Sequence, residues 1–222
     1  MVSFILCLSK EWKTDMKQKT ASLILTGILL LAGCSSAGNA NTKSVSSDTG
    51  SQKKTASADS SSQGKVLVAY FSASGNTERI AKMIAEDTNA DTFVITPAQP
   101  YTDDDLNYSD ESSRVVQEYE KPDQQNIELA TTDVPDWDSY NTVYLGYPIW
   151  WQDASWVVKS FVQKEDFTDK TVIPFATSMS SGLGDSGRNL EKLAGTGTWK
   201  EGERFSSSSS EDDVKKFVAR NN

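Results

Sequence analysis

The chain has 222 residues with 22 Lys and Arg against 31 Asp and Glu, a formal charge of −9, and no histidine. The missing histidine excludes Ser-His-Asp triads, imidazole acid–base chemistry and His-ligated metals. From Lys65 to Asn222 there are 15 basic against 27 acidic residues, a formal −12, so the clustered cations that nucleic acid demands are lacking and nucleic acid is not an expected partner.

The two cysteines, Cys7 and Cys34, both precede the stretch able to form a core, so no disulfide, iron–sulfur cluster or cysteine zinc site is expected within it, and no metal. Lys17 and Lys19 precede an apolar run, Ala21 to Gly33, which is short of the roughly 20 residues that span a bilayer but suits a signal-peptide core. The run ends in Leu31-Ala32-Gly33-Cys34, which resembles the lipobox of bacterial lipoproteins. That resemblance implies a signal peptide over residues 1–34, acylation of Cys34, and anchoring on the outside of the cytoplasmic membrane. Met16 opens a segment that is a complete signal by itself, so residues 1–15 are set aside as a start-site artefact. Residues 35–64 are rich in Ser, Thr, Asn, Asp, Lys and Gly and cannot bury enough apolar surface to fold. They read as a disordered tether with an end-to-end distance of roughly 30 Å.

The domain expected over 65–222 begins with Lys65 to Phe71, a continuous apolar run that reads as a strand buried on both faces. Thr77 to Asp87 follows as a helix with Ile80, Met83 and Ile84 on its buried side. A second strand is expected at Thr92 to Thr96, ended by Pro97; a third at Thr142 to Tyr147, closed by Pro148; a fourth at Thr171 to Thr177. Helical patterns carry Val157, Val158, Phe161 and Val162, then Leu190, Leu193 and Ala194. A last helix is expected near Ser210, with Asp213 completing a capping box and Val214, Phe217 and Val218 buried. The stretch from Gly195 to Phe205 shows no robust strand. The acidic stretch from Ala98 to Tyr140 offers one helix, Ser109 to Glu120, and is too long for an ordinary connection. The βα alternation predicts a doubly wound parallel sheet with helices on both faces and ligands beyond the carboxyl ends of the strands.

Directly after the first strand, Ser72-Ala73-Ser74-Gly75-Asn76-Thr77 combines small hydroxyl and amide side chains with a glycine and turns into a helix, which makes an anion site from backbone N–H groups. It lacks the Gly-Lys-Ser/Thr of a P-loop. Gly182-Leu183-Gly184-Asp185-Ser186-Gly187 matches a dinucleotide fingerprint by letter, but it begins several residues after its strand and reads as loop glycine. Pro148, Ile149, Trp150 and Trp151 follow the third strand, where an indole can stack on a planar ligand or pack as core. Thr177, Ser178, Ser180, Ser181 and Gly182 follow the fourth, with hydroxyls and amides able to bond a polar ring edge.

With the Ser-rich loop ending Gly75-Asn76-Thr77, the stretch Gly146-Tyr147-Pro148-Ile149-Trp150-Trp151 and the stretch Pro174-Phe175-Ala176-Thr177-Ser178, the chain resembles the bacterial flavodoxins over Lys65 to the C-terminus. The resemblance implies a flavodoxin-like five-stranded sheet of order 2-1-3-4-5 and FMN as cofactor. It assigns the FMN phosphate to Ser72, Ser74, Gly75, Asn76 and Thr77, and the ring to Pro148, Ile149, Trp150, Trp151, Thr177, Ser178, Ser180, Ser181 and Gly182, with no catalytic residue. The implied activity is electron transfer, expected as reduction of quinone-like acceptors by a surface oxidoreductase. The alternatives are a one-electron carrier docking to a membrane redox protein and a flavin-free binding module. Gln152 stands where related chains often carry the Gly whose peptide rotates beside the ring, which favours two-electron chemistry. The absence of Lys and Arg from the three loops up to Met179 predicts a lowered flavin potential.

Overall fold

β1 (Lys65–Tyr70), α1 (Asn76–Thr88), β2 (Asp91–Val94), α2 (Arg114–Glu120), β3 (Tyr140–Trp150), β4 (Asp153–Ala154), α3 (Trp156–Val162), β5 (Thr171–Thr177), α4 (Ser186–Ala194), β6 (Thr198–Trp199), β7 (Glu203–Phe205) and α5 (Glu211–Asn221) follow one another along the chain. They come from a computed structural model that describes residues 64–222. The expected signal peptide, Cys34 and the tether lie outside the described residues. Among the described residues no helix is long and apolar enough to cross a membrane.

The central strands are parallel, in the order β2-β1-β3-β5, and their side chains alternate between two cores. Leu67 and Ala69 point toward Val115, Val158, Phe161 and Leu190 of α2, α3 and α4. Val68 and Tyr70 point toward Ile80 and Ile84 of α1 and Phe217 and Val218 of α5. A strand covered on both faces has no polar face to show, which is why β1, β3 and β5 read as nearly continuous apolar runs.

The doubly wound, flavodoxin-like architecture is thus the expected one, but the count of five strands needs a correction. The fifth position is divided between β6, which pairs with Thr171 and Val172, and β7, which pairs with Phe175 to Thr177. The cause is Pro174. Val172 O accepts from Lys200 N at 2.9 Å and Ser178 N donates to Phe205 O at 3.3 Å, both toward the edge, so the donor that Pro174 lacks falls on this same side between them. Gly202 crosses the gap, and a β-carbon there would lie 2.6 Å from Pro174 O. The extra strand β4 is a two-residue antiparallel return onto the end of β3.

Other boundaries shift for local reasons. α2 begins at Arg114 rather than Ser109, because Asn107 and Asp110 side chains take the amides of Ser109 (3.1 Å) and Ser112 (2.8 Å) into turns that compete with helix. β2 ends at Val94, and the chain beyond it pairs with the returning acidic stretch: Ala130 N donates to Thr96 O and Ala98 N to Glu128 O, each at 2.8 Å. α5 carries the expected capping box, with Asp213 Oδ2 accepting from Ser210 N at 2.9 Å and Ser210 Oγ accepting from Asp213 N at 3.3 Å.

Candidate functional site

The carboxyl ends of β1, β3 and β5 open onto a cleft of about 320 Å³ lined by Ser74, Asn76, Pro148, Ile149, Trp150, Trp151, Thr177 and Ser178, among others. Its first wall is the loop after β1. Gly75 turns the chain at φ 82°, the left-handed region that a glycine takes at little cost, and α1 starts at the next residue. Ser72 Oγ accepts from Glu78 N at 3.2 Å and Gly75 O from Arg79 N at 3.0 Å, which closes the first turn. Among the described residues the N–H groups of Ser74, Gly75, Asn76 and Thr77 find no acceptor. Four consecutive unmatched donors at the positive end of a helix form a receptor for an anion.

The two flanking loops are tied together beneath this wall. Thr77 Oγ1 and Thr177 Oγ1, both buried, lie 2.7 Å apart and link α1 to the end of β5. The Ser72 and Thr77 hydroxyls are thus engaged with the protein itself, and neither residue lines the cleft. Ser74 and Asn76 face it, with Asn76 Nδ2 donating to Ser74 Oγ at 3.1 Å.

The second wall is the β3–β4 hairpin. Its two-residue turn places Trp151 at φ 45° and Gln152 at φ 65°. Paired positive φ is what a type I′ turn requires and what Asn-Gly ordinarily supplies; here both residues carry a β-carbon, at a cost on the order of 1 kcal/mol each. Trp151 recovers part of this by stacking on Tyr119, centroids 4.3 Å apart and planes 10° from parallel. Trp150 is gripped edge-on by Phe71 (5.7 Å), Tyr101 (5.4 Å) and Trp156 (4.7 Å). Each tryptophan thus both packs against protein and lines the cleft. Beside the turn, burial works against the charge of Asp153, but Lys159 at 2.6 Å, Asn189 at 3.2 Å and the Ala154 N–H hold its carboxyl below the usual range.

The third wall is the loop after β5. Arg204 on β7 donates from Nε to Ser178 Oγ at 2.8 Å and from Nη2 to the carbonyls of Ser178 and Met179 at 2.8 and 2.9 Å. Ser178 Oγ in turn donates to Ser181 O. Arg79 reaches the carbonyls of Ser206, Ser207 and Ser209 next to the cleft at 2.9 to 3.1 Å. Two guanidinium groups thus stand against loops whose own sequence has no basic residue, which weakens the expectation of a lowered potential. Ser180, Ser181 and Gly182 do not line this cleft. With Gln152, Asp153, Gly184, Asp185 and Asn189 they border a neighbouring open cavity of about 660 Å³.

Leu106, Tyr108 and Val115 also line the cleft, from the acidic stretch that gave no sequence signal, as does Ser207 from the C-terminal loop. Of the acidic stretch only the apolar spacing Leu106, Tyr108, Val115 could have pointed there, and it fits no regular period. Among the described residues no group of three or more acidic, Cys or His side chains is arranged to hold a metal.

A family profile described as flavodoxin matches residues 65–221. A candidate flavoprotein from Bacteroides uniformis is 36% identical with a TM-score of 0.65, over 70% of this chain and 98% of its own. One from Bacteroides eggerthii is 34% identical with a TM-score of 0.64, over 71% of this chain and 97% of its own. A Lactobacillus acidophilus flavoprotein, solved in complex with FMN, shares the fold at 17% identity and a TM-score of 0.52, over 70% of this chain and 99% of its own. No curated protein matches.

Proposed function

The chain belongs to the flavodoxin family, and we propose that its cleft holds FMN and that the protein transfers electrons as a reductase of quinone-like acceptors, anchored at the outer face of the cytoplasmic membrane through acylated Cys34. The observation that carries this is the loop of four unmatched N–H groups, Ser74 to Thr77, opening into the same cleft as Trp150, Trp151 and Thr177. A phosphate monoester suits a site with many backbone donors and no lysine, and a planar ring suits the adjoining aromatic wall. Bound FMN would supply the redox chemistry; the protein supplies placement and electrostatics.

The chain's own residues favour a reductase over a one-electron carrier. Gln152 already sits at positive φ, and its β-carbon raises the cost of the peptide rotation that a glycine would permit. The open cavity beside the turn, bordered by Ser181, Gly182 and Asn189, leaves room for a second molecule near the ring end.

The test is an absorption spectrum of the purified protein after incubation with FMN and desalting. Retained flavin bands, lost in Gly75→Val, support the proposal; a colourless parent refutes it and leaves a flavin-free module. Steady-state turnover with NAD(P)H and a quinone then separates reductase from carrier. Loss of the protein from the membrane fraction on Cys34→Ala tests the anchor.

A further inference from the structure

The acidic stretch between β2 and β3 contains a buried carboxylate whose partners all lead to the ring end of the cleft. Glu118 of α2 is 5% exposed. Its Oε2 accepts from Tyr101 Oη and from Trp156 Nε1, both at 2.6 Å, and its Oε1 accepts from Arg114 Nε at 2.6 Å. The Arg114 guanidinium also lies 4.0 Å over the Tyr101 ring and donates to Gln99 O at 2.8 Å. Burial pushes the Tyr101 hydroxyl above its ordinary value, and the bond to Glu118 adds to this, so the phenol stays a donor.

Burying a carboxylate is costly, and a well-packed apolar cluster is often as stable as the ion pair it replaces, so stability alone does not account for the arrangement. What the carboxylate does is make a phenol and an indole from distant segments converge on one oxygen. That fixes the two rings against Trp150, at interplanar angles of 72° and 61°. Trp156 also lies under Trp151 at 5.7 Å and 26°. Both tryptophans of the cleft wall therefore lean on rings that Glu118 holds, although neither Glu118, Tyr101 nor Trp156 lines the cleft.

We propose that Glu118 is a positioning residue for the flavin: through Tyr101 and Trp156 it sets Trp150 and Trp151 in the orientation that accepts the ring. The inference rests on FMN occupying the cleft. It also gives the acidic stretch a task, since α2 brings Glu118, Arg114 and Tyr119 to the back of the wall.

Two variants of the full chain test it. Glu118→Gln leaves one acceptor where the carboxylate had two and turns an amide N–H toward existing donors. Tyr101→Phe with Glu118→Leu removes the carboxylate and the phenol donor together but leaves the Trp156 N–H and the Arg114 guanidinium without their acceptor, so it loses stability and is measured well below its melting temperature. Both should keep the parent's far-UV circular dichroism, change its near-UV aromatic bands in the flavin-free state, and weaken FMN binding about tenfold. Parent affinity and parent near-UV bands in the folded double variant would overturn the proposal. If the parent takes up no FMN, the cofactor assignment fails by itself, and unchanged near-UV bands would then separately refute the grip of Glu118 on the wall.

Discussion

The two ends of the cleft are built in opposite ways. The anion end is six consecutive residues, Ser72 to Thr77, whose backbone N–H groups do the work while the Ser72 and Thr77 hydroxyls brace the loop from within. The ring end is assembled from side chains of four separate segments: Tyr101, Glu118 with Tyr119, Trp150 with Trp151, and Trp156. A site made of backbone tolerates side-chain exchange and fails when a dihedral angle is forbidden; a site made of side chains tolerates backbone variation and fails when one ring is lost.

That difference can be broken from either side. Trp156→Ala should cost most, about 3–5 kcal/mol by urea denaturation, because it hollows a buried site and strips Glu118 of one donor. Gly75→Val places a β-branched residue at φ 82° and should cost about 1–2 kcal/mol, with FMN retention lost after desalting. Thr77→Val keeps the shape but leaves the Thr177 hydroxyl without its partner, for about 1 kcal/mol in the same assay and a much smaller loss of FMN. Equal loss of FMN binding from Thr77→Val and Gly75→Val would refute the view that backbone dominates the anion end.

The smallest expected effect is a control remote from both ends. Burial, helped by Asp133, raises the half-buried Glu165 carboxyl to about 7. A carboxyl raised above its unfolded value of about 4.3 favours the fold fully below that value and loses the contribution as pH climbs through 7. Glu165→Gln should therefore gain thermal stability over the parent at pH 8 and not at pH 4, by well under 1 kcal/mol because solvent screens the group. Equal parent and variant melting temperatures at both pH values would show that Glu165 is not shifted.

The same contrast governs what could be read from the sequence. The anion loop was legible because its residues are adjacent and sit between a buried strand and a helix start. The central strands themselves followed from apolar runs that two-sided burial imposes, whereas their order was implied by the family resemblance. The ring end was legible at Pro148 to Trp151 and at Thr177 and Ser178, the stretches that follow the third and fourth strands. Tyr101, Glu118 and Trp156 carry no local signal, since a buried carboxylate is recognised by its partners and those lie 17 and 38 residues away. The divided fifth strand carries no sequence signal for a related reason: its fragments have two and three residues, and what divides them is a proline on the neighbouring strand.

That division has a bearing on how copies of this chain meet one another. The exposed border of a sheet invites a strand from a second molecule to continue it, and a long, flat border is the usual start of aggregation. Here the border is β6 and β7, interrupted at Lys200–Gly202, while across the sheet β2 has four residues before its chain turns into pairing with residues 128–130. Neither border offers an uninterrupted template, so copies of the chain should not join edge to edge through their sheets.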